Sequence, residues 1–140
     1  MQQWVLYAIL SMIFAGVTAV LAKYGLQNIS ADFGLGVRTT VIFIIITIMN
    51  VIGSRYKEFT ALTKVQLWLL IASGVTTTLS WIFYYRAMKD GLVSYVSAID
   101  KASILITLVL SFFLLKEPFT PKIAVGATLI FAGLIVLIWK

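Results

Sequence analysis

Apolar residues run through this chain in five long blocks, separated by short stretches where charge, Gly, Pro or Asn gathers. Each block approaches the roughly 20 residues that a helix needs to cross the hydrocarbon core of a bilayer. The pattern predicts helices over 4–24, 34–53, 65–87, 92–115 and 121–139. Uninterrupted apolar runs favour helices over barrel strands, which would alternate in short segments. Trp4, Tyr7, Tyr24, Tyr56, Trp68 and Trp139 fall near the span ends, where amphipathic rings prefer the interface. Pro118 and Pro121 end the fourth helix and fix the start of the fifth. The reading is an all-α integral membrane protein, one multi-pass domain over 1–140 with five transmembrane helices.

Composition agrees with the pattern. Of 140 residues, 61% are hydrophobic and 11% charged, against about 25% charged in a soluble domain. That excludes an ordinary soluble protein and a disordered one. The chain has no Cys and no His, which removes disulfides, thiolate metal sites, Cys nucleophiles and the commonest general base. No phosphate loop or metal-ligand cluster is present, so an enzyme is the least expected class and no cofactor or metal is called for. The net charge of +6 does not by itself imply nucleic acid as a partner. In a membrane protein Lys and Arg also act as topology signals.

Five spans put the two ends of the chain on opposite faces of the membrane. With the N-terminal face as side A, its loops hold Arg55, Lys57, Lys64, Lys116 and Lys122. Side B holds Lys23, Arg38, Arg86, Lys89 and Lys140. The bias that normally sets orientation is therefore close to zero. One reading discounts Lys23 and Arg38 as partly intramembrane, which leaves a weak preference for the N-terminus inside. The other is dual topology, with copies inserted both ways up.

Polar groups within the spans gather at one end. Lys23 ends the first span, Arg38 lies about one turn into the second, Arg86 ends the third, and Asp100 and Lys101 lie about two turns into the fourth. All are on side B, so a polar vestibule opening to that side is expected. Lys23 and Arg86 are the two most easily explained by snorkelling to the interface. Arg38 either snorkels or pairs with Asp100. A carboxylate about 10–11 Å from its helix start cannot snorkel far, so Asp100 must be paired, protonated or facing water. Asp100, Ser103, Thr107 and Ser111 share one helical face, and so do Ser73, Thr77, Ser80 and Tyr84. The competing explanation for any one hydroxyl is a bond to its own backbone four residues back. Gly126 and Gly133, with Ala127 and Ala132, form a small-residue face on the fifth span, suited to helix packing, including packing between subunits.

Several strings resemble a known group. They are Ser80-Trp81-Ile82-Phe83-Tyr84-Tyr85-Arg86-Ala87-Met88, Ile99-Asp100-Lys101, Lys116-Glu117-Pro118-Phe119-Thr120 and the Gly126–Gly133 segment, with Ala22-Lys23-Tyr24-Gly25 and Val37-Arg38-Thr39-Thr40 earlier. Together they resemble the EamA-like domain of the drug/metabolite transporter superfamily, in its short five-helix bacterial and archaeal branch, over essentially the whole chain. One departure is Ala98, where relatives often carry Pro before Ile-Asp-Lys. Its absence lowers the expectation of a kink beside Asp100. The resemblance implies one half of a ten-helix inverted-repeat transporter fold, completed by a homodimer that is antiparallel. Inverted repeats place the substrate site at the repeat interface near the midplane.

The function expected is a secondary transporter, an exporter of a small metabolite or drug-like molecule, working by alternating access in the plasma membrane of a prokaryote. Asp100, Lys101, Arg38, Ser103, Thr107, Trp81 and Tyr84 are the candidates for substrate binding or proton coupling, with Lys23 and Arg86 as vestibule charges. Lys23, Arg38, Arg86 and Lys101 against Asp100 leave a net +3, which favours anionic substrates. The alternative is a non-transporting scaffold or an accessory subunit of a hetero-oligomeric transporter.

Overall fold

A computed structural model describes residues 2–139 and is helical throughout its regular elements. Lys140, counted in the charge balance, lies outside the described residues. The helices are α1 (Gln3–Gly25), α2 (Ala31–Ile52), α3 (Lys64–Asp90), α4 (Val93–Lys101), α5 (Ser103–Leu114) and α6 (Pro121–Ile138), with a 3₁₀ segment, Arg55–Ala61, between α2 and α3. Taking α4 and α5 as one span, five segments are long and apolar enough to cross a membrane.

Local chemistry explains where these helices begin and end. Ser30 caps α2, its hydroxyl accepting from the Phe33 amide at 3.3 Å, the role an N-cap Ser fills for otherwise orphaned donors. Thr63 and Gln66 form a reciprocal pair at the start of α3. The Gln66 Oε1 accepts from the Thr63 amide at 2.9 Å, and the Thr63 hydroxyl accepts from the Gln66 amide at 3.3 Å. Pro121 occupies the first turn of α6 and Thr120 caps it, as its fixed φ allows. Lys116 takes a left-handed φ of 55° just past α5, and Glu117 donates its amide to the Ser111 carbonyl at 3.3 Å. That turn closes the helix end before Pro118.

Three sequence expectations change. The third helix runs on to Asp90 rather than ending at 87. The second helix begins at Ala31 rather than at 34, because Ser30 caps it and Asp32 sits favourably in its first turn. The fourth span is not one helix. It breaks at Ala102, whose amide reaches Ile99 and whose carbonyl receives Leu105, both bonds three residues long at 3.0 Å. A single 3₁₀-type turn therefore interrupts the span directly after Asp100-Lys101 without a proline.

The chain divides into two compact units, residues 1–90 and 91–140. In the first, the buried side chains are Ala19, Leu26, Ala31, Leu35, Tyr85 and Met88, with Met88 fully enclosed. All six lie at the end where α1 finishes, α2 starts and α3 finishes, which is side B. The opposite halves of these helices expose Trp4, Phe14, Phe43, Ile45 and Trp68. In a bilayer such surfaces meet lipid or another chain rather than water, so their exposure carries no hydrophobic penalty. In the second unit Leu134 is buried, and the aromatic rings of Phe113 and Phe119 pack edge-on against Phe112 at 5.1 and 5.7 Å.

Candidate functional site

The side B end of the first unit holds four of the five bases assigned to that face, and each has a defined partner. Lys23, at the end of α1, donates to the carbonyls of Met88 and Lys89 at 2.8 and 3.0 Å. Those are orphan acceptors in the last turn of α3. Lys89 returns the contact, donating to the carbonyls of Leu26 and Ile29 at 2.7 and 2.6 Å. Two ammonium groups thus cross-link the α1–α2 turn to the end of α3. A cation at a helix C-terminus also meets the negative end of the dipole. Snorkelling, the simple expectation for Lys23, is replaced by this inward bond.

Arg86 is engaged as well. Its Nε and Nη2 donate to Oδ1 and Oδ2 of Asp32 at 3.1 and 3.0 Å. This is the bidentate fork that guanidinium and carboxylate planes form. It ties the start of α2 to the last turns of α3, again instead of a free snorkelling cation. Both side chains stay more than half exposed, so the pair contributes geometry more than stability. The pair stands at the rim of a groove of about 610 Å³ between α2 and α3, lined by Gly36, Thr39, Phe43 and Thr78.

Arg38 lies deeper than the sequence placed it. Because α2 begins at Ala31, it is about two turns inside the helix. Its guanidinium carbon sits 4.5 Å from the Trp81 ring centroid and 5.6 Å from that of Tyr85. One nitrogen donates to the Tyr85 hydroxyl at 3.3 Å. The positive fork is held on ring faces, a cation–π arrangement. Of the expected site residues, the structure brings Arg38 and Trp81 together, and Tyr84 lies beside Tyr85 with ring centroids 6.2 Å apart.

In the second unit, Asp100 accepts from the adjacent Lys101 at 3.3 Å. Asp100 is half-buried, two turns into α4, while Lys101 is exposed. Ser103 begins α5 just past the break. The Thr107 hydroxyl donates to the Ser103 carbonyl at 3.1 Å, which is the self-bonding explanation for that hydroxyl. Thr76 and Thr78 do the same on α3. A Cβ placed on Gly126 or Gly133 meets no heavy atom within 4 Å, so neither glycine serves a close approach within its own unit. Among the described residues, no group of three or more Asp, Glu, His or Cys could hold a metal ion.

Sequence reasoning missed Asp32, Tyr85 and Lys89. Asp32 had a readable signal, the Ser30 cap that puts it inside a helix. Lys89 had none, since its acceptors are backbone carbonyls.

The model of the EamA-like transporter family matches residues 2–139. The chain belongs to that family. It is a multi-pass membrane protein of a transporter family, all-α, with five spans. A Sinorhizobium sp protein described as an uncharacterized transporter in the cobO 3′ region is 34% identical over 137 residues, covering 97% of this chain and 96% of the relative. No solved structure matches the chain.

Proposed function

We propose that this EamA-family chain is a secondary transporter, an exporter of a small metabolite or drug-like molecule, working by alternating access as an antiparallel homodimer in a prokaryotic plasma membrane. The observation that carries the proposal is a five-span chain, matched to the family over 2–139, with five basic residues on each side. Even charge permits insertion both ways up. Two oppositely oriented copies then restore an inverted-repeat pair, and their side B ends face opposite sides of the membrane. Closing one while opening the other gives alternating access between two states that symmetry makes equal in energy.

Within this reading Asp100 is the proton-coupling or substrate-binding carboxylate, and the break at Ala102 lies directly beside it. An intramembrane carboxylate is costly unless it has a task or a partner, and its partner Lys101 is exposed. Lys101, Ser103 and Thr107 complete the polar face of the fourth span, and Trp81 and Tyr84 that of the third.

The orientation test is direct, because the chain contains no Cys. Single cysteines at Gln27 and at Glu117 are labelled with a membrane-impermeant maleimide in intact cells. The expected result is partial labelling at both positions. Labelling of one position alone overturns the antiparallel homodimer and favours an accessory subunit with an oppositely inserted partner.

A further inference from the structure

The sequence counted four bases against Asp100 and read the excess as a preference for anions. The pairings divide those four very unequally. Arg86 is bound to Asp32 through both of its fork nitrogens. Lys23 is bound to two helix-end carbonyls. Lys101 is bound to Asp100. Arg38 is different in kind, since its partners are two ring faces and one phenol.

Ring faces hold a guanidinium without consuming its donors. A guanidinium has five N–H donors in a fixed planar fork, and within its unit Arg38 directs one at an acceptor, the Tyr85 hydroxyl. Asp32, the acid placed in the adjoining turn of α2, is already bound by Arg86. Arg38 therefore carries an oriented positive fork with no carboxylate within 4.0 Å among the described residues of its own unit. The side chain is half-buried and about two turns from the helix start, where charge is expensive unless an anion meets it.

The surroundings fit a molecule rather than a headgroup. Arg38 and Tyr85 line a groove of about 310 Å³ between α1 and α2, whose other walls include Leu21, Leu26, Ile29 and Val37. Besides Arg38 and Tyr85, Thr18 is the one lining residue with a polar side chain. One positive fork at the side of an otherwise greasy groove is the layout of a site for a compact amphipathic anion, with polar groups fixing orientation and apolar walls covering the rest.

We infer that Arg38, held on Trp81 and Tyr85, is the anchor for the carboxylate of the substrate, and that the substrate joins that carboxylate to a small apolar body. This rests on the transporter reading for the word substrate; the binding itself is independent of it. The fork pairs both carboxylate oxygens in the plane that the rings impose. The apolar part of the ligand covers Leu21, Ile29 and Val37. A bound carboxylate then supplies the counter-charge that Arg38 does not find in its own unit.

The test is binding by purified protein in nanodiscs of zwitterionic lipid, read by thermal shift and by isothermal titration. The probes are butyrate, hexanoate and phenylacetate, each beside its amide and its amine isostere, with inorganic phosphate in parallel. Wild type is expected to bind at least one carboxylate about tenfold or more tighter than its amide, and tighter than phosphate. Arg38→Gln is expected to lose that preference, and Arg38→Lys to retain part of it, since an ammonium keeps charge but not the fork. Helical ellipticity of both variants is measured first, and Arg38→Lys serves if Arg38→Gln fails to fold. Equal binding of carboxylate and amide overturns the inference. So does a carboxylate preference that survives in folded Arg38→Gln or stands undiminished in Arg38→Lys, or phosphate binding tighter than any carboxylate, which assigns the fork to lipid phosphate. Liposome flux separates this from the transporter reading. Carboxylates bound through Arg38 but not moved leave the anchor standing and sink transport. Amines moved equally by wild type and Arg38→Gln sink the anchor and leave transport standing.

Discussion

Replacing Lys89 with Met tests the cross-link between the α1–α2 turn and the end of α3. Methionine keeps an unbranched stem of similar length and removes the ammonium. Two contacts are lost, to the Leu26 carbonyl at 2.7 Å and the Ile29 carbonyl at 2.6 Å. A hydrogen bond from a charged group contributes about 1.5–3 kcal/mol. The site is half-buried at a membrane edge, so released carbonyls recover some solvation and the low end of each contribution applies. The expected loss is about 3 kcal/mol. Unfolding is followed by ellipticity in mixed micelles of increasing dodecyl sulfate content. Lys23→Met removes the opposite arm, to Met88 and Lys89. Because both arms hold the same two chain ends, the double variant is expected to deviate from additivity by at least about 0.5 kcal/mol. A Lys89→Met protein within about 0.5 kcal/mol of wild type, the range of an ordinary surface change, refutes the cross-link.

Two further predictions concern the same end of the first unit. A Cβ on Gly34 stands 2.5 Å from Leu26 Cδ2, and Leu26 is 2% exposed, so Gly34→Ala is expected to cost about 1–3 kcal/mol in the same titration; no change means that the turn yields freely. For Asp32→Asn and Arg86→Gln, the double variant is expected to lower the unfolding midpoint by less than the sum of the two single changes. Strict additivity contradicts the pairing.

The spans were legible because each combines length with low charge, and lipid imposes the same demand all along a span. Internal structure was legible only where a local signal exists. The Thr120-Pro121 start of the last helix could be read from two residues. The Ser30 cap is such a signal, a Ser placed just before an acid and a helix start. The break at Ala102 has no Pro or Gly to announce it. The 3₁₀ segment Arg55–Ala61 has Tyr56 and Phe59 three residues apart, a single repeat among charges that is too short to announce an element. The charges were legible as a group at one end, and their pairing was not. Lys23 and Lys89 bind carbonyls 60 to 66 residues away, and a carbonyl has no side-chain signature. Arg86 and Asp32 are 54 residues apart, so their union follows from how α2 meets α3. The summed excess of +3 was therefore a poor guide. Asp32 offsets Arg86, a pairing the sum did not count, Lys23 is held by neutral carbonyls, and Arg38 remains as the cation held on ring faces.

The central claim is that this chain alone moves a substrate. The measurement that tests it most directly is counterflow in liposomes containing the purified chain and no other protein. Labelled carboxylates, amines and neutral metabolites are each tried against an inside excess of the same compound. The account predicts saturable accumulation of at least one of them, lost in Asp100→Asn while that variant keeps its helical ellipticity and its dimeric mass. Folded, dimeric wild-type protein that accumulates none of them contradicts the account and leaves the chain an accessory subunit.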